Sequence, residues 1–145
     1  VAIAGQPTSP PHQCSVVGGT GSVVAGDVTS VRLNCDINRF TLGGTLTGLV
    51  GQGLVLTNND ADDLSLNSTG EFGFETPLTP GTNYDVDVKA QPTNPWQTCT
   101  VSSGTGVMGT APVSSVAVDC VRNKYKVSGA VTALAGSGLV VTLTP

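Results

Sequence analysis

The chain has 145 residues, only 11% of them charged and 4% aromatic, with a formal net charge of −4. Its six Lys and Arg residues are scattered except around Arg122-Asn-Lys124-Tyr-Lys126, too sparse to line a phosphate-tracking groove, which argues against nucleic acid as a partner. No apolar run approaches the roughly 18 residues of a membrane-crossing helix, so no membrane span is expected in this segment.

An internal repeat organises what remains. Cys14 and Cys99 lie 85 positions apart (99 − 14), as do Cys35 and Cys120 (120 − 35), so a Cys-x20-Cys pair recurs. Gln6-Pro-Thr-Ser-Pro10 returns as Gln91-Pro-Thr-Asn-Pro95, and Gly51-Gln-Gly-Leu-Val55 returns as Gly136-Ser-Gly-Leu-Val140. Laying residues 1–60 over 86–145 without a gap gives 23 identities in 60 pairs. A fixed period marks an array of similar units. It divides the chain into 1–35, the last part of a preceding repeat; 36–120, one complete repeat; and 121–145, the first part of a following one. The expectation is a segment of a longer polypeptide, or a protomer whose ends its neighbours complete.

Taken in order, the first partial unit places Cys14 in step with Val16, and Cys35 with Val31 and Leu33, as two strands whose cysteines face a core. A short linker, Asp36-Ile-Asn38, leads into the complete unit. There Phe40–Leu46 reads as a strand ending near the turn Gly51-Gln-Gly53, and Gly53–Thr57 as a second, stopped by Asn58-Asn-Asp-Ala-Asp-Asp63. Leu64–Leu66 and Phe72–Phe74 alternate apolar with polar. After Pro80-Gly81 comes the clearest strand, with Tyr84, Val86 and Val88 on one side and Asp85, Asp87 and Lys89 on the other. Gln97–Val101 and Val116–Cys120 close the unit. A second linker, Val121-Arg-Asn123, begins the next copy.

Gly, Thr, Ser and Val dominate, which favours pleated strands and undermines helices. Few apolar residues are large, so each unit buries a thin core that a covalent staple would reinforce. Two equally spaced pairs fit the disulfides Cys14–Cys35 and Cys99–Cys120. Closing a loop of about 20 residues contributes roughly 3 kcal/mol in the chain-entropy model. Such bonds persist in oxidising compartments and imply an extracellular or cell-surface location. Zinc prefers closer Cys pairs and His partners, whereas the one histidine, His12, is replaced by Gln97 in the second copy.

About seven short strands per 85-residue unit and no helical periodicity predict an all-β, immunoglobulin-like β-sandwich with one disulfide per unit. The cysteines are too close together and too late in the unit for an antibody domain, and no core Trp lies between them. The staple is expected to tie the last two strands, or a strand and its return loop, rather than to pin the two sheets together. The series Leu49-x-Gly51-x-Gly53-Leu-Val-Leu-x-Asn58-Asn59, Asp62-Asp-Leu64, Gly70-x-Phe72-x-Phe74, Pro80-Gly81-x-x-Tyr84-x-Val86-x-Val88, Gln91-Pro92 and Gln97-x-Cys99-x-Val101 resembles a bacterial Ig-like tandem repeat. That resemblance implies a spacer-like module of large secreted, surface-attached or adhesin-like proteins. After Val141 the third copy departs from it, with Leu143-Thr-Pro145 where Asn58-Asn-Asp60 would stand.

Chemistry-bearing positions are few. Asn58, Asn59, Asp60, Asp62 and Asp63 crowd six positions, a set of oxygen donors that suits Ca²⁺. The same residues suit a tight turn, and neither EF-hand spacing nor its bidentate Glu is present, so the turn is the preferred reading. Gly104-Thr-Gly106-Val-Met-Gly109 matches a dinucleotide fingerprint literally but has no helix after it, and is expected to be a hairpin loop. Glu71 and Glu75, four apart in a strand-like region, need not share a face. No nucleophile, base and acid group together, so no enzyme and no cofactor is expected. Asn67-Ser-Thr69 is a formal sequon. Among the aromatics, Tyr84 and Tyr125 are expected to pack, the latter because it aligns with Phe40. Trp96, in a Pro-rich loop and aligned with Pro11, is the candidate interface contact.

The sequence therefore points to a structural repeat of an extracellular fibre, stalk or adhesin, self-associating or stacked on neighbouring repeats, with strand completion between chains as a route to assembly. The alternative is a multivalent module for glycan or Ca²⁺.

Overall fold

The computed structural model describes residues 1–143. Ten strands and no helix form among them: β1 (His12–Val17), β2 (Arg32–Ile37), β3 (Leu42–Thr47), β4 (Leu54–Asn58), β5 (Asp62–Leu66), β6 (Gly70–Gly73), β7 (Asn83–Ala90), β8 (Gln97–Ser102), β9 (Thr105–Val107) and β10 (Val113–Arg122). The chain is all-β, and no helix long and apolar enough to cross a membrane occurs among the described residues.

Strands β3 to β10 build two four-stranded sheets, ordered β6-β3-β10-β8 and β5-β4-β7-β9. Inward positions from both sheets fill one core: Leu42 and Leu46 from β3, Cys99 from β8, Val116, Val118 and Cys120 from β10, against Leu54 and Leu56 from β4 and Val86 from β7. Leu49, Phe74 and Met108 close it from the loops. Alternation sets this arrangement. In β7, Val86 is buried while Asp85 and Asp87 are exposed, because successive side chains leave opposite faces of a strand.

All seven expected strands form, and there is an eighth. The Gly104–Gly109 segment is not merely a hairpin loop. After Ser103-Gly104 the chain leaves one sheet, adds β9 to the edge of the other beside β7, and returns as β10. Two of its glycines serve packing: a Cβ on Gly104 would lie 2.6 Å from the Val86 carbonyl oxygen and one on Gly106 2.5 Å from the Tyr84 hydroxyl. The linkers also shift. Asp36, Ile37, Val121 and Arg122 belong to β2 and β10, because ladder bonds to the preceding strand carry the sheet two residues past the period boundary.

Counting the seven expected strands within the unit, one sheet reads 4-1-7-6 and the other 3-2-5. A constant-type antibody domain joins 1-2-5-4 and 3-6-7 instead. The two-sheet form is shared and the strand order is not. Here the first strand, β3, lies beside the last, β10, and the two run parallel.

The first partial unit forms only β1 and β2, an antiparallel pair with its own two-stranded sheet. Residues 123–143 contain no strand.

Candidate functional site at the stapled strands and the unit junction

Both expected disulfides form. Cys14–Cys35 and Cys99–Cys120 each bridge 21 positions, and each joins residues directly opposite in an antiparallel pair, β1–β2 and β8–β10. The staple thus ties neighbouring strands of one sheet. Cys99 and Cys120 are both buried, as their parity predicts; in the first copy Cys14 is buried but Cys35 and Leu33 are exposed, because β1 and β2 have no second sheet packed on them among the described residues.

Strand β8 is the edge of its sheet, so the outward N–H and C=O of Cys99 have no strand to pair with. A side chain takes that place. Cys99 N–H donates to Gln91 Oε1 at 2.7 Å, and Gln91 Nε2 donates to the Cys99 carbonyl at 3.0 Å. The first copy repeats this: Cys14 N–H to Gln6 Oε1 at 2.7 Å, and Gln6 Nε2 to the Cys14 carbonyl at 2.9 Å. A primary amide presents one donor and one acceptor side by side, as a backbone residue does, so glutamine acts as a one-residue strand and blunts the edge. The recurring Gln-Pro strings were the visible trace of this clamp, whose partner the sequence does not reveal.

A second glutamine holds the other side of β8. Gln97 is fully buried; its Oε1 accepts from Val50 N–H at 2.7 Å and Gly51 N–H at 2.6 Å, and its Nε2 donates to the Gly48 carbonyl at 2.7 Å. It thereby fixes the β3–β4 loop. His12, its counterpart, meets only the Pro10 carbonyl, through Nδ1 at 2.9 Å.

Trp96 lies between these features. The residue is 59% exposed, and its carbonyl accepts from Asn123 N–H at 3.0 Å, where the chain leaves the unit. The earlier junction is the same: Asn38 N–H donates to the Pro11 carbonyl at 2.9 Å. Trp96 therefore sits at a unit junction with its ring free. Tyr125 does not pack among the described residues; it is exposed, whereas its counterpart Phe40 packs on the core and exchanges backbone bonds with Leu78.

The Asn/Asp cluster forms the β4–β5 hairpin. Asn59 and Asp60 both have positive φ, 52° and 55°, and Ala61 N–H donates to the Asn58 carbonyl at 3.2 Å, a type I′ turn. Asn58 is buried and its Oδ1 accepts from Asp85 N–H at 3.1 Å. Asp62 opposes Asn58 on the same face, half-buried, with one oxygen enclosed and no donor in reach. Asp63 faces the other way and pairs with Lys89, whose ammonium holds the carboxyl below the usual aspartate range. The four candidates Asn58, Asp60, Asp62 and Asp63 do not converge, and no group of three or more His, Cys, Asp or Glu is arranged to hold a metal among the described residues. Glu71 and Glu75 are exposed, and the Asn67-Ser-Thr69 sequon lies exposed in the β5–β6 turn.

Comparison with protein-family models, with characterised proteins and with solved structures returns no match for this chain.

Proposed function

We propose that the chain is a structural repeat of an extracellular fibre, stalk or adhesin, in which disulfide-stapled sandwiches follow one another in series and neighbouring chains complete each other's strands. It transmits tension and does no catalysis. The observation that carries this reading is the parallel pairing of the first and last strands of the unit. Backbone bonds join β3 to β10 in the register Gly44 with Val116 through Thr47 with Asp119. Tension enters at the Leu42 end of β3 and leaves at the Arg122 end of β10, which lie at opposite ends of the pair. Pulling then slides the strands past each other and loads all their bonds together, where an antiparallel terminal pair would peel apart one bond at a time.

The junctions support the same reading. Between β2 and β3 only residues 38–41 intervene, and these are held: Asn38 to Pro11, Phe40 to Leu78 in both directions, and Thr41 through its carbonyl to Val113 N–H at 2.9 Å. A linker so pinned gives a stiff connection. The disulfides suit an oxidising exterior.

Pulling single molecules of the full chain by its ends tests this. The complete unit is expected to open in one high-force event. Because Cys99–Cys120 keeps 21 residues closed, reduction is expected to lengthen that release by about 70 Å at about 3.5 Å per residue. Gradual opening at low force would contradict the proposal.

A further inference from the structure

The seam between β7 and β8 is closed at both ends and open in the middle. Strand β9 covers β7 only from Asn83 to Asp85, so beyond that point β7 runs as a free edge, and β8 is the edge of the other sheet. At one end of the seam Val86 N–H donates to the Gly104 carbonyl at 2.9 Å. At the other, Gln91 occupies both outward groups of Cys99. Outward backbone groups recur at every second residue of a strand. The next outward pairs therefore belong to Val88 on β7 and Val101 on β8, and no backbone bond closes the seam at either among the described residues. An open cleft of about 560 Å³ lies there, lined also by Thr57, Asp60, Asp87 and Lys89. Thr57 is 3% exposed, and its Oγ1 has no partner in hydrogen-bonding geometry, although it stands near enough to the Asp63 carboxyl to help Lys89 hold it below its usual range. Lys89 is committed to Asp63, while Asp60 and Asp87 form no ion pair among the described residues.

The repeat separates the frame of this cleft from its charges. In the 85-residue register Val88, Cys99, Thr100 and Val101 correspond to Ile3, Cys14, Ser15 and Val16, and Thr57 to Thr142, so the frame recurs. Asp87 and Lys89 correspond to Ala2 and Ala4, and Asp60 to Pro145, so the charges do not. We propose that the cleft is a docking site for an extended segment of a partner protein that carries a lysine or arginine. The unpaired groups of Val88 and Val101 offer that segment strand-like hydrogen bonds, and the two free carboxylates select its charge. A residue paired with Val88 places its neighbour opposite Asp87, on the face where that carboxylate stands, and this is the position for the cation. The Thr57 hydroxyl is a further polar group for which the folded chain supplies no partner. The site lies wholly within the complete unit and does not depend on what joins either end of it. It adds recognition to the structural role and does not rest on that role.

NMR titration of the intact, unreduced chain with the peptide acetyl-Thr-Val-Lys-Val-Thr-amide tests this. The Val88 and Val101 amide signals are expected to shift saturably, and their hydrogen exchange to slow. The same peptide with glutamate at its centre is expected to bind at least about tenfold more weakly, and one N-methylated at both valines not to bind. Asp60→Asn and Asp87→Asn, both at exposed positions, are each expected to weaken binding about threefold, the scale of an exposed ion pair, with the melting transition unchanged. Val88 and Val101 amides that stay unmoved at about 10 mM peptide would overturn the proposal. So would equal binding of the glutamate peptide, or undiminished binding to a chain carrying both substitutions. Spermidine that shifts the same two amides and displaces the peptide completely would show a simple cation site, and would overturn it too. None of these outcomes alters the force at which the unit opens, so the structural reading stands or falls separately.

Discussion

Two glutamines, Gln91 and Gln97, do for this fold what a larger core would otherwise do, and they differ in how much they matter. Gln97 is buried and satisfies two N–H groups and one carbonyl of the Gly48–Gly51 loop, all of which lose their partners if it is truncated. Unpaired buried backbone groups cost about 1–3 kcal/mol each, softened where water can enter. Gln97→Ala is therefore expected to cost about 3 kcal/mol in urea unfolding of the unreduced chain. Gln91→Ala frees two groups on a partly buried edge and is expected to cost about 1 kcal/mol. Equal costs, or the reverse order, would contradict these roles. Neither role was legible beforehand. The repeated Gln-Pro string was visible, but the partner of Gln91 lies eight residues on and that of Gln97 more than forty residues back. Spacing in a sequence carries no record of which backbone a side chain will meet. The Asn/Asp cluster was legible for the opposite reason: its two left-handed residues form a turn from purely local preferences.

The strand pair β3–β10 links architecture to the proposed role, and one glycine controls it. With Val116 O only 1.7 Å from where a Cβ would stand, Gly44→Ala forces the two strands apart. The expected cost is about 3 kcal/mol, at the upper end for overpacking. Gly73 on edge strand β6 is the control, since its Cβ would meet nothing closer than Leu42 O at 3.9 Å. Gly73→Ala is expected to be neutral or slightly stabilising, because it restricts the unfolded chain. Thermal melts of the two variants side by side check this, and similar losses would show that β3 and β10 are not so tightly apposed. Alternation, or a short apolar run between turn signals as in Gly53–Thr57, made all seven expected strands readable, Tyr84-x-Val86-x-Val88 above all. Sheet order was not readable, because it depends on which way each connection crosses and period-two parity is blind to that. Strand β9 was not legible since three residues with a glycine before and another in the middle carry no alternation, and Gly106 stands opposite Tyr84 in its pairing with β7.

At the scale of the whole molecule, the repeat dictates a series of similar units whose junctions are pinned the same way, by Asn38 to Pro11 and by Asn123 to Trp96. Trp96 stands at that junction with its ring exposed, consistent with a contact to the following unit. Disulfides within units, parallel terminal strands and short held linkers all favour transmission of force along a fibre over recognition of a small ligand. The partition into one complete and two partial units is what the 85-residue offset alone proposes, because periodicity survives substitution. Electron microscopy of the native, unreduced protein at high concentration tests the account most directly. Continuous filaments with one regular axial repeat are predicted; a field of dispersed single particles would contradict it.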